Sequence, residues 1–142
     1  MRLLANLRHR WRDRAERLPL GVRGENEAAR FLRRLGYTLV ARSHRDRIGE
    51  LDLIVVDGRT VVFVEVKTRR SKEPDHPAEA VDQDKQRRLT RLAPSYLKRH
   101  DLLEYSARFD VVAIIWPEGA RRPAIEHFKN AFEPVGRWQM FS

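Results

Sequence analysis

Glu50, Asp52, Glu65 and Lys67 stand in one greasy stretch of the chain, Gly49-Glu50-Leu51-Asp52-Leu53-Ile54-Val55-Val56-Asp57-Gly58-Arg59-Thr60-Val61-Val62-Phe63-Val64-Glu65-Val66-Lys67. Burying a charge is costly unless it is paired or holds a metal, so ionisable groups among valines ask for a chemical reason. The apolar runs at 51–56 and 61–66 read as strands, and Asp57-Gly58 between them is a strong signal for a two-residue hairpin turn. Pairing outward from that turn sets Val56 against Arg59, Asp52 against Phe63 and Glu50 against Glu65. Paired residues share a face and side chains alternate along a strand. Glu50, Asp52, Glu65 and Lys67 therefore fall on one face, with Leu51, Leu53, Val55, Val62, Val64 and Val66 on the other.

Diagonal neighbours such as Asp52 and Glu65 have backbones roughly 7–8 Å apart, so their carboxylates can converge on one ion. A hard divalent cation suits them, because Mg²⁺ takes oxygen ligands from one or two carboxylates plus water and substrate phosphate. The competing account is a structural salt-bridge cluster. Glu50, Asp52 and Glu65 against Lys67 leave a net charge of −2, and two carboxylates about 5 Å apart repel by about 3 kcal/mol at an effective dielectric of about 20. A further cation is required. It is either an arginine such as Arg45, Arg47 or Arg69, or a metal.

The elements around this hairpin follow from periodicity. Residues 22–35 form an amphipathic helix with Ala28, Phe31, Leu32 and Leu35 on its stripe and Gly36 as its C-cap. A first strand covers 37–43, and the polar Arg45-Asp46-Arg47 loop leads into the hairpin. After a charged loop at 69–77, a second helix runs from about 78 to 97, which Pro94 should kink or divide. Strands at 109–116 and 125–128 close the order. Lys85, Arg87 and Arg88 lie on the second helix, where they either meet phosphates or form an ordinary solvated face. Asp110 opens an apolar strand and reads as a buried acid paired with arginine. His9, His44, His76, His100 and His127 show no metal-ligand spacing.

Asp52, twelve residues, then Glu65-Val66-Lys67 resembles the D…(D/E)xK signature of the PD-(D/E)XK nuclease superfamily. The surrounding text is more specific. Gly24-Glu25-Asn26-Glu27-Ala28-Ala29-Arg30-Phe31-Leu32, Leu35-Gly36-Tyr37, Gly49-Glu50-Leu51-Asp52, Lys85-Gln86-Arg87-Arg88-Leu89, Arg108-Phe109-Asp110 and His127-Phe128-Lys129-Asn130 together are similar to the YraN family of small bacterial proteins, over about 22–133. The chain departs from that pattern at Ser43-His44, at Pro74-Asp75-His76-Pro77 and at Pro94. The resemblance implies an α/β, restriction-endonuclease-like αβββαβ core, with a central mixed sheet flanked by helices and related to Holliday-junction resolvases. It implies Asp52 and Glu65 as metal ligands, the Val66 carbonyl as a third, Lys67 beside the attacking water, and Glu25 as the acid that joins from the first helix. Glu50 is the competing acid by hairpin register. The implied cofactor is Mg²⁺ or Mn²⁺. Resolvase-like relatives work as homodimers, because two strands must be cut.

Composition agrees with one compact domain of 142 residues, 42% hydrophobic and 35% charged. The expected division is a basic extension over 1–20, one endonuclease-like domain over 21–135 and a tail over 136–142. There is no cysteine, which excludes disulfides and thiolate metal sites and agrees with a reducing, cytoplasmic setting. No apolar run reaches membrane-span length, and arginines interrupt the N-terminal segment where a signal peptide would be apolar. A net charge of +9 points to nucleic acid first and an anionic membrane surface second, with an arginine-rich solvated surface as the plainer account; the resemblance implies DNA before RNA. Arg45, Arg47, Arg69, Lys85 and Arg88 are the expected phosphate contacts. The expected function is a metal-dependent nuclease on branched or structured DNA. The alternative is a non-catalytic nucleic-acid-binding or interaction module that keeps the fold.

Overall fold

A computed structural model describes residues 18–71 and 83–132. The elements are α1 (Leu20–Arg34), β1 (Thr38–Arg45), β2 (Glu50–Asp57), β3 (Thr60–Arg69), α2 (Gln83–Arg99), β4 (Ser106–Ile115) and β5 (Ala124–Phe128). This is the expected α/β order, and it fits a restriction-endonuclease-like core. Residues 1–17 of the expected basic extension, the tail over 136–142 and most of the charged loop after β3 lie outside the described residues.

The five strands lie in sequence order in one sheet. The β1–β2, β2–β3 and β4–β5 pairs are antiparallel, whereas β3 and β4 run parallel. Parallel neighbours need a long crossover, and α2 supplies it. Helix α1 covers one face, where Ala28, Ala29 and Leu32 pack on Leu53, Val55, Val62, Val64, Val112 and Ile114. Helix α2 covers the other, where Leu89, Leu92, Ala93, Tyr96 and Leu97 pack on Ile54, Val61, Phe63, Phe109 and Val111. Both faces are buried, which is why the central strands read as near-continuous apolar runs. Gly36 caps α1 as expected: at φ 93° its N–H reaches Arg33 O, and Tyr37 N–H reaches Leu32 O. Pro94 does not divide α2, which runs unbroken from Gln83 to Arg99. Buried Leu92, Ala93, Tyr96 and Leu97 hold the helix to the sheet on both sides of the proline.

The hairpin differs from its expected register in an instructive way. Asp57 pairs with Thr60, so the turn residues are Gly58 and Arg59, with Gly58 at φ 60°. Glycine at the first turn position is the type II′ preference, and it outcompetes the Asp-Gly reading. Moving the turn by one residue at constant loop length moves the pairing by two. Face parity survives, and Asp52 comes one step beyond the last paired residues, Leu53 and Val64, level with Glu65.

Candidate functional site

The hairpin ladder stops at Leu53–Val64, and the next donor on β3, the Val66 N–H, goes to Asp52 Oδ2 at 2.8 Å. A side chain has replaced a strand carbonyl. The same place breaks the alternation of β2: Leu51 and Ile54, three residues apart, both pack in the α2-side core, while Leu53 and Val55 pack under α1. Leu51 therefore sits on the opposite side from its expected one. On β1 the Ser43 backbone is left-handed, at φ 48°. Adjacent pairs Arg42–Leu53 and His44–Leu51 put Ser43 level with Asp52. Arg42 then reaches α1, and His44 stacks edge-on against Tyr96 of α2. Asp52 thus sits where two neighbouring strands change sides.

Four side chains meet around it. Glu65, only 4% exposed, lies beside Asp52 on β3 and is close enough to raise its pKa. Lys67 Nζ stands 3.5 Å from Glu65 Oε1, and Lys85 Nζ at the start of α2 bonds the same oxygen. Glu25 approaches from α1, where Ser43 Oγ donates to its Oε1 at 3.0 Å and Arg42 Nε lies 3.5 Å from it. Helix α1 comes this near only because residue 24 is glycine: a Cβ there would lie 1.8 Å from Thr68 Oγ1 and 2.8 Å from Thr68 Cβ. Gly24 sits inside a helix, where glycine costs about 1 kcal/mol against alanine. That cost was the sequence signal of a close approach.

Burial pushes Asp52 up to about 7; the Glu65 and then the Glu25 carboxylates push the same way, against the Val66 N–H bond and the Lys85 charge. The Val66 carbonyl faces β2 as its N–H does, since a strand residue sends both groups to one neighbour. Asp52, Glu65 and that carbonyl are all-oxygen donors, the chemistry that Mg²⁺ or Mn²⁺ prefers. As arranged, Glu65 is engaged by two ammonium groups, and among the described residues no three acidic or histidine side chains cluster tightly enough to enclose an ion.

The expected site residues divide clearly. Asp52, Glu65, Lys67, Val66 and Glu25 come together. Glu50 does not join them; it stands exposed at the end of β2 with its Oε2 3.1 Å from Arg45 Nη2. The cation that sequence required is thus not Arg45, which is spent on Glu50. Lys85, expected at phosphates, takes part of that place. Arg47 and Arg88 are exposed, and Arg69 is half-buried with its Nε lacking a hydrogen-bond partner. Asp110 is fully buried and paired with Arg108 as expected, and its other side-chain contacts are His127 and the Asn130 N–H. Lys85 at Glu65 and Ser43 at Glu25 are the contacts that sequence reading missed.

Residues 24–114 match the uncharacterised protein family UPF0102, the grouping to which the YraN-like resemblance corresponds. A UPF0102 protein of Rhodopirellula baltica is 51% identical over 124 residues, covering 85% of this chain and 74% of the relative. One from Geobacter sulfurreducens is 48% identical over 116 residues, covering 80% and 88%. A third, from Nocardia farcinica, is 50% identical over 113 residues, covering 80% and 88%.

Proposed function

Starting from the chain's membership of the UPF0102 family, we propose that it is a divalent-cation-dependent phosphodiesterase acting on nucleic acid, DNA before RNA, with its centre at Asp52 and Glu65. The observation that carries this reading is the adjacency of two largely buried acids on β2 and β3, at the point where the ladder opens, with two lysines beside them. A purely structural cluster has no use for an acid whose proton is held to about pH 7. The resemblance to PD-(D/E)XK nucleases supports it as well.

In this reading Asp52, Glu65 and the Val66 carbonyl hold Mg²⁺ or Mn²⁺, with Glu25 as a further carboxylate. An ion held there would supply a lowered water pKa and stabilisation of charge on the phosphate. Asp52 loses its proton as it takes up that role. Lys67, fixed beside Glu65, orients the attacking water or meets the negative charge that develops. Lys85 gives up Glu65 and becomes available to a phosphate oxygen. A homodimer would let two strands be cut together.

A second reading is favoured by two contacts. Lys85 and Lys67 already neutralise Glu65, as in a binding or interaction module that keeps the fold without cutting. Duplex, flap, single-stranded and four-way DNA incubated with Mg²⁺ or Mn²⁺ separate the two. Cleavage that falls at least about 100-fold in Asp52→Ala, Glu65→Ala and Lys67→Ala supports the enzyme. Cleavage equal in all variants belongs to another site, and no cleavage by the wild type leaves the binding module.

A further inference from the structure

Beside the acidic centre lies a groove of about 730 Å³, between α1 and the segment that joins β4 to β5. Its volume is in the range that takes a small organic ligand. Arg23, Arg30, Arg70 and Arg121 line it with Glu27 and Glu118, and Arg30 is paired with Glu27 at 3.0 Å. The floor is Trp116. Arg23 lays its guanidinium over that indole at 4.1 Å, and Arg70 Nη1 donates to the Trp116 carbonyl at 3.3 Å. Two of the arginines are thereby held in place by one buried tryptophan, not left as freely moving surface charges.

The position matters as much as the charge. Strand β3 carries Glu65 and Lys67 and ends at Arg69, whose carbonyl accepts from Trp116 N–H at 2.7 Å where β3 and β4 leave the sheet side by side. Arg70 follows Lys67 by three residues, about 10 Å of extended chain. On the helix side, Asn26 and Glu27 line the groove while their neighbour Glu25 belongs to the acidic centre. Glu65, level with Asp52, precedes Arg70 by five residues, about 17 Å of extended chain; one duplex strand places a phosphate about every 3.4 Å of axis, so Arg70 stands about five nucleotides from a bond held at Asp52.

We propose that this groove is a nucleic-acid subsite that holds the strand running away from the acidic centre. Arg70 and Arg121 contact its phosphates, and the Arg23 guanidinium, backed by Trp116, offers a flat cationic surface on which a base stacks. The subsite rests on the nucleic-acid reading above but not on cleavage.

Fluorescence anisotropy of a labelled single-stranded oligonucleotide with the full chain in EDTA tests it. The Arg70→Ser/Arg121→Ser variant binds about 10- to 100-fold more weakly, and its slope of log affinity against log salt is shallower by about 1.4, the value for two lost phosphate contacts on a single strand. Arg121→Glu alone, at an exposed loop position, weakens binding without touching the Trp116 floor. Arg99→Ser, an exposed arginine at the far end of α2, binds as the wild type does. Unchanged affinity and slope in the groove variants overturn the subsite, as does an equal loss in Arg99→Ser or a wild type that binds no oligonucleotide. Groove-dependent binding by a wild type that never cleaves would sink the phosphodiesterase and leave the subsite standing.

Discussion

A buried acid and a half-buried one of the same sheet meet opposite fates. Asp110 on β4 accepts from Arg108 Nε at 3.0 Å and Nη2 at 3.2 Å, sits 2.7 Å from His127 Nε2, and accepts from Asn130 N–H at 3.0 Å. Burial alone would raise its pKa, but the His127, Arg108 and Asn130 bonds outweigh it and hold the carboxyl below its usual range. Arg108 is raised in turn, against its own burial, by Asp110 and Asp57. Asp52 accepts one backbone N–H and faces two other carboxylates, so burial and repulsion win. Folding satisfies the first acid and strains the second. Structural ion pairs come to rest as Asp110 does. An acid kept protonated near neutrality is poised to release its proton when a cation arrives.

The largest effect expected from this contrast is on stability. Asp110→Ala takes one of its two carboxylate partners from half-buried Arg108, leaving Asp57, and leaves His127 and the Asn130 N–H without their acceptor, costing about 3 kcal/mol in urea unfolding. Asp52→Asn at pH 8 keeps an acceptor for Val66 N–H and removes a repelled charge, so it unfolds at the same or a higher urea concentration. Equal destabilisation by both would erase the distinction.

Next comes the placement of Glu25. Gly24→Ala forces α1 away from Thr68 and is expected to cost about 1–3 kcal/mol in the same measurement. A wild-type unfolding midpoint would show that the close approach does not position the helix.

The two acids also predict opposite pH slopes. Asp52 binds its proton more tightly folded than unfolded, so between about pH 4 and 7 the folded state holds more protons and its stability falls as pH rises. With allowance for its partial exposure the fall is on the order of 1–2 kcal/mol. Asp110 is lowered, so its contribution is present above the ordinary carboxylate range and is lost as pH drops through it. Thermal scans from pH 5 to 8 check this: Asp52→Asn should flatten the decline, and a decline unchanged in that variant would contradict the assignment.

The smallest effect is at Glu50. It is half-exposed and paired with a largely exposed Arg45, so Glu50→Gln should alter stability by under about 0.5 kcal/mol and leave divalent-ion binding intact. Weakened ion binding would return Glu50 to the site.

Much of this was legible in the residues. The runs at 53–56 and 61–64 mark strands buried on both faces, and the meeting of Asp52 with Glu65 survived a misplaced turn because the shifted pairing brings the two level. Asp110 announced itself as an acid inside an apolar strand. What was illegible depends on contacts between distant segments. No local pattern says that the first turn of α2 delivers Lys85 to Glu65, twenty residues earlier in the chain. The side change at Ser43 and Asp52 was hidden too, since neither residue is the glycine that usually marks a left-handed backbone. Glu50 was assigned by a register that ends before reaching it.

The central claim is that Asp52 and Glu65 form a site for a divalent cation, and the thermal midpoint at pH 8 with and without millimolar Mn²⁺ tests it most directly. The wild type should gain several degrees, consistent with a ligand that binds only the folded state, and Asp52→Asn and Glu65→Gln should gain none. No shift in the wild type, or the same shift in all three proteins, would contradict it.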